Sequence, residues 1–198
     1  MTFRVALTFD AEHPDRPHRV GGTVRVLDAL AADETLATFF LQGRWVEAEP
    51  RTARAIAERR HLIGNHSHYH ARMPLLTPAG FRADVRAAER AIVRTTGQDP
   101  RPWFRCPFGA GTDDPRIRAT LAEMGYREMG WDVDVADWRV AATGPAVTRA
   151  VIEGVIARGD GAVVLLHPWT RATGRGLPSI LAGLRDAGAV FVRLDALA

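Results

Sequence analysis

Three of the seven histidines fall within five residues, in the stretch His66-Ser67-His68-Tyr69-His70. Imidazole is a common ligand for zinc and related ions, so this density points to a metal site. If the stretch is helical, His66 and His70 share one face; if it is extended, alternation brings all three rings to one side. Near the start of the chain stands Asp10-Ala11-Glu12-His13. On an extended backbone Asp10 and Glu12 project to the same side, one available as a metal ligand and the other as a base. The plain alternative is a polar loop, and the histidine cluster favours the functional reading. His167 comes directly off the apolar run Val163-Val164-Leu165-Leu166. That position suits a hydrogen-bonded core histidine or an acid/base working near neutral pH. Arg105 and Asp137 also follow apolar segments; buried they need partners, and otherwise they are surface ion pairs.

Other chemistries fit less well. A metallo-β-lactamase pattern needs an Asp and a further His at different spacing. Amidohydrolases place His-x-His after the first strand, whereas this cluster follows about the third. Cys106, between Arg105 and Pro107, reads as a small buried residue rather than a nucleophile. Gly109-Ala110-Gly111 lacks the strand, turn and helix spacing of a nucleotide fingerprint.

The elements that must position these groups alternate along the chain. Short apolar runs at residues 3–9, 36–41, 62–64, 103–104, 126–131, 162–166 and 190–192 read as strands. Helical patterns separate them. Thr77-Pro78 opens one with Phe81, Val85, Ala88 and Ile92 on a face, and Asp114-Pro115 opens another that stops at Gly125. Gly144-Pro145 precedes Val147, Val151 and Val155, and Pro178 precedes Ile180, Leu181 and Leu184. Gly159 and Gly188 serve as stops. Weaker patterns cover residues 22–32 and 50–60. About seven βα repeats in 198 residues fall short of a complete eight-fold barrel of ~250 residues. The expected fold is therefore α/β, a distorted or incomplete (β/α) barrel with about seven parallel strands; a doubly wound open sheet is the alternative. The chemically loaded residues fall just after the runs, at strand carboxyl ends, where parallel α/β folds place their sites.

Composition agrees with one ordinary globular domain spanning 1–198: 46% of residues are hydrophobic and 25% are charged. All 26 basic residues are arginine, and the net charge is only +3. The arginines are spread among acidic neighbours, as in Arg82-Ala83-Asp84, which argues for a solvated surface and against a nucleic-acid footprint. The absence of lysine excludes Schiff-base and lysine-base mechanisms. A single cysteine makes no internal disulfide. No apolar run approaches ~18 residues, and the first residues lack a leader pattern, so no membrane association and a cytoplasmic location are expected.

The residues resemble the polysaccharide deacetylase (NodB-homology) family, carbohydrate esterase family 4, through five short motifs in the family's order between Thr8 and His167. Thr8-Phe9-Asp10 is similar to the first motif, whose leading Asp is the general base. His66-Ser67-x-x-His70 is similar to the second, whose outer histidines bind metal. Arg105-x-Pro107-x-Gly109 resembles the third; its Arg pairs with the base, and a backbone N–H at Phe108 helps hold the oxyanion. Asp134-x-x-Asp137-Trp138 resembles the fourth, and Leu165-x-His167 the fifth, which carries the general acid. The family fold is a distorted barrel.

The chain departs from the pattern in three places. Ala11 stands where the family usually has a metal-ligating Asp; Glu12 is the expected replacement and His13 the second choice. Phe108 stands where Tyr is frequent, and Pro168 where Asp is common. The resemblance implies a divalent ion, Zn²⁺ before Co²⁺ or Ni²⁺, held by Glu12, His66 and His70. It also implies a base Asp10 held by Arg105 and an acid His167 oriented by Asp137. Trp138 and Trp169 are candidates to wall the acetyl pocket, with simple core packing as the alternative. The expected reaction is removal of an acetyl group from an N-acetylated sugar or related small molecule. The alternatives are an O-acetyl esterase, a cyclic imide or ureide hydrolase, and a non-catalytic carbohydrate binder.

Overall fold

The computed structural model describes residues 2–13 and 22–197. In chain order the strands and helices are β1 (Phe3–Ala11), α1 (Gly22–Ala32), β2 (Thr38–Leu41), α2 (Gly43–Ala48), α3 (Pro50–Glu58), β3 (Leu62–Asn65), α4 (Pro78–Thr96) and β4 (Trp103–Phe104). They continue with α5 (Pro115–Glu123), β5 (Arg127–Glu128), β6 (Val133–Asp134), α6 (Gly144–Arg158), β7 (Ala162–Leu166), α7 (Arg171–Asp186) and β8 (Ala189–Phe191). Seven strands pair side by side in the order β5-β4-β3-β2-β1-β7-β6, with β8 added to β1. Every pairing is parallel, and the sheet curls into a half-barrel.

Alternation along β1 builds both sides of this sheet. Val5, Leu7, Phe9 and Ala11 are fully buried in the main core, against α1 and α7 among other elements. Each of the three larger side chains contributes about 1.5–3 kcal/mol from burial. Ala6, on the opposite face, joins Phe40, Trp103, Val163 and Leu194 in a plug inside the curl. Thr8, Asp10 and Glu12 continue that inner face above the plug. A smaller core of Phe81, Val85, Phe104, Ile117, Leu121 and Tyr126 seats α4 and α5.

Register brings the strand ends to one level. Ala11 pairs with Leu41, Leu41 with Asn65, Asn65 with Phe104, and Phe9 with Leu166. The residues that leave these ends are Glu12, Gln42, His66, Arg105 and His167.

Helix starts follow local chemistry. Thr77, Asp114 and Thr143 accept backbone N–H bonds at the starts of α4, α5 and α6, and a proline occupies the first turn of each. Two sequence expectations are corrected, and one element is new. Pro178 does not open a helix: α7 begins at Arg171, capped by Thr170, and contains Pro178 at the loss of one backbone hydrogen bond. The run at 126–131 is not one strand but yields β5, with β6 following after a turn. The short helix α2, between β2 and α3, has no counterpart in the sequence reading. Among the described residues, no helix is long and apolar enough to cross a membrane.

Candidate active site

Asp10 and Glu12 leave the same face of β1, and both are buried. Asp10 Oδ1 accepts a 2.9 Å bond from Arg105 Nη1, which also donates to Thr8 Oγ1 at 2.8 Å. The rest of the Arg105 guanidinium donates to the carbonyls of Met129 (3.0 Å) and Gly130 (2.9 Å), and its carbon lies 4.2 Å from the Phe40 ring centroid. This buried cation is therefore fixed on every side. The Arg105 carbonyl lies 2.9 Å from His66 Nδ1. With the proton on Nδ1, His66 donates to that carbonyl and has its Nε2 facing the carboxylates.

The histidine segment is neither helix nor strand. Ser67 and His70 have left-handed backbones, with φ of 65° and 57°. Asn65 Oδ1 accepts from Ser67 N–H at 2.9 Å, and Ser67 Oγ accepts from His70 N–H at 3.1 Å. This double turn brings His66 and His70 together and sends His68 elsewhere. The His68 ring occupies the space that a Cβ at Gly43 would fill, 2.2 Å from Nδ1, so position 43 requires glycine. Asp84 accepts the backbone N–H groups of His68 and Tyr69, both at 3.0 Å.

Glu12 Oε2 lies 3.2 Å from His66 Nε2 and in tight contact with His70 Nε2. Single donor atoms from these three residues all lie within 4.8 Å of one another. Burial pushes the Glu12 carboxyl up, but hydrogen bonds from His13, His66 and His70 outweigh it and hold the group well below the usual carboxylate range. Burial lowers His66, while the charge of Asp10 and the contact with Glu12 raise it above the ordinary value. For His70 burial prevails and the value falls.

His167 faces the same carboxylates, with Nε2 3.7 Å from Glu12 Oε1. Its Nδ1 and backbone N–H both bond to Asp137, at 2.7 and 2.8 Å. Asp137 also accepts from the hydroxyls of Thr170, at 3.2 Å, and Thr173. Burial opposes the charged imidazole, yet the bond to Asp137, its charge, and those of Glu12 and Asp10 raise His167 to about 9. The ring is thus protonated at neutral pH.

These groups line a cavity of about 360 Å³ whose walls include Phe108, Trp131, Trp138 and Trp169. Phe108 packs against His70 with ring centroids 4.4 Å apart and has φ 59°. Asp134 lines the cavity too and accepts from Ala136 N–H at 2.8 Å. Asp10, Glu12, His66, His70, Arg105, Phe108, Asp137, Trp138, His167 and Trp169, singled out from sequence, therefore meet in one place, whereas His68 does not join them. Sequence reasoning gave no role to Gln42, Thr170 or Thr173, although a Thr just before a helix is a cap signal. Trp131 was likewise not anticipated as a wall.

Two imidazoles and one carboxylate, each offering a convergent atom, are a donor set suited to a divalent ion with open positions for water or substrate. The charges agree. Among the described residues Asp10, Glu12 and Asp137 are buried and Arg105 is the buried guanidinium, so an imidazolium or a bound cation suits the remaining negative charge.

Comparison with known proteins gives a consistent family signal. The family model described as polysaccharide deacetylase matches residues 2–129. A chitooligosaccharide deacetylase of Bradyrhizobium sp. is 35% identical over 166 residues, covering 84% of this chain and 71% of that protein. Among solved structures, a family 4 carbohydrate esterase from Streptomyces lividans, in complex with acetate, superposes with a TM-score of 0.83 at 31% identity; the match covers 96% of this chain and 91% of that one. A Bacillus anthracis protein described as a pseudoenzyme of the same esterase family gives 0.88 at 27% identity, covering 99% and 65%. The chain spans between 38% and 71% of the length of the curated relatives it matches.

Proposed function

The chain belongs to the polysaccharide deacetylase family, and from that premise we propose that it is a metal-dependent hydrolase that removes an acetyl group from an N-acetylated sugar or a related small molecule. Glu12, His66 and His70 are the residues that would hold the ion, Zn²⁺ first, with Co²⁺ or Ni²⁺ as alternatives. A divalent ion there supplies Lewis acidity toward an acyl oxygen and makes a water more acidic.

The chain's own groups do the rest. Asp10 takes a proton from the attacking water, and Arg105 holds its carboxylate in place by the 2.9 Å bond to Oδ1. The Phe108 N–H is the backbone donor for the developing oxyanion. His167 gives its Nε2 proton to the departing amine, while Asp137 holds the ring by Nδ1 and stabilises the imidazolium. An amide leaves as a free amine only after protonation, which is why a strongly basic imidazole suits this position. Trp138 and Trp169 provide apolar walls for an acetyl methyl and a sugar face.

The observation that carries this reading is the meeting of an arginine-held carboxylate, a three-donor cluster and an aspartate-held histidine in one cavity. The test is acetate release from N-acetylglucosamine oligomers and O-acetylated xylan fragments, and ring opening of a cyclic imide, assayed in parallel with Zn²⁺ present. Turnover is expected on the N-acetyl substrates; turnover of the imide or the O-acetyl substrate alone would replace the reading. The pseudoenzyme neighbour supports one competing view, a non-catalytic carbohydrate binder. Oligosaccharide binding without acetate release would establish it.

A further inference from the structure

The two oxygens of Glu12 have different partners. Oε2 faces His66 and His70, whereas Oε1 lies 2.8 Å from His13 Nε2. Neighbouring residues on a strand point to opposite sides, so this contact needs an explanation. The backbone supplies it: His13 has φ 62°, a left-handed conformation that non-glycine residues rarely adopt. The turn at the end of β1 swings the His13 ring back onto the preceding side chain.

That turn is itself tethered. The His13 N–H donates to Gln42 Oε1 at 2.9 Å, and Gln42 Nε2 donates to the His68 carbonyl at 3.2 Å. The Gln42 N–H donates to the Ala11 carbonyl at 3.0 Å. One buried glutamine thus ties the strand end that carries Glu12 to the loop that carries His70. The His13 ring also packs edge-on against His70 and Trp169, with centroids 4.9 and 5.6 Å away.

We propose that His13 is a positioning residue for Glu12: its Nε2–H holds Oε1, leaving Oε2 as the single oxygen presented with His66 and His70. The inference deepens the metal-site reading above and rests on it. A glutamate has one more rotatable bond than an aspartate and can turn either oxygen, or both, toward an ion. Fixing Oε1 removes that freedom and compensates for the longer side chain at position 12. A neutral ring protonated on Nε2 is sufficient. His13 acts here through Glu12 and is not a ligand, since its Nε2 is committed to the carboxylate oxygen turned away from the other donors.

The test is Zn²⁺ affinity, measured by competition with a chromogenic chelator, for the parent protein, His13→Ala and His13→Gln. Loss of an outer hydrogen-bond partner typically weakens metal binding about 10- to 100-fold, and that loss is expected for His13→Ala. Gln can still donate a side-chain N–H to Oε1 but is a poor zinc ligand, so His13→Gln is expected to bind much closer to the parent than to His13→Ala. Unchanged affinity in His13→Ala overturns the proposal. Equal losses in both variants also overturn it, because they would make the imidazole itself a ligand. A parent protein that takes up no Zn²⁺ overturns the metal-site reading together with this inference, so the two failures are distinguishable.

Discussion

Ala11 and Glu12 are adjacent in sequence and lie on opposite faces of the sheet, Ala11 in the helix-facing core and Glu12 in the cavity. Strand alternation made that division readable, so Glu12 was legible as the acid beside Asp10. The choice of His66 with His70, and not His68, came from the resemblance of His66-Ser67-x-x-His70 to a family motif; spacing alone left it open, because it depends on the left-handed backbone at Ser67. Replacing Glu12 by Ala is expected to abolish stoichiometric Zn²⁺ binding, read by metal analysis after gel filtration, while the fold persists. Removing His167 separates two leaving groups. His167→Ala is expected to lower kcat on an N-acetyl sugar by about 10²- to 10⁴-fold, and to lower cleavage of an activated phenyl acetate far less. A third expectation concerns stability. His61 is buried, accepts from the Ala37 N–H at 3.2 Å, and is pushed down to about 4 by burial together with Arg59 and Arg193. Between the unfolded value of about 6.5 and 4, the unfolded chain binds a proton that the fold does not. The contribution of His61 is therefore complete above about pH 6.5 and is lost as pH falls toward 4, by up to about 3 kcal/mol. Urea unfolding at pH 7 and 5 should show a smaller loss for His61→Asn than for the parent.

Most elements were readable because proline and a hydroxyl or carboxylate cap announce α4, α5 and α6. The start of α7 was not, since Pro178 imitates a start signal and the true cap, Thr170, lies a full two turns earlier. Helix α2 is only six residues long, too short for periodicity to register. Thr170 has two tasks: it caps α7 and it bonds to Asp137. Thr77 only caps α4. Both Thr→Ala variants are expected to lose about 0.5–2 kcal/mol in chemical unfolding. Only Thr170→Ala should also lower kcat on the amide substrate, because it loosens the aspartate that orients His167; equal kcat in the two variants would contradict that link.

At the scale of the molecule, the barrel was legible from the count of alternating runs, but the place where it stays open was not. Strands β5 and β6 end the seven-strand order, and the turn between them carries Met129 and Gly130. Arg105 reaches from the end of β4 to both of those carbonyls and to Thr8 and Asp10 on β1, so one side chain joins the open edge to the centre of the sheet. Lysine keeps the charge but cannot reproduce this fork. Arg105→Lys should therefore lower thermal stability and activity together, and loss of activity with an unchanged Tm would reduce Arg105 to a partner of Asp10. Five strand ends converge above that guanidinium, and the account stands on a metal-dependent deacetylation taking place there. The most direct measurement is acetate release from an N-acetylglucosamine oligomer by chelator-treated protein, before and after Zn²⁺ is restored. The account expects no release before restoration and full recovery after it; undiminished release from metal-free protein would contradict it.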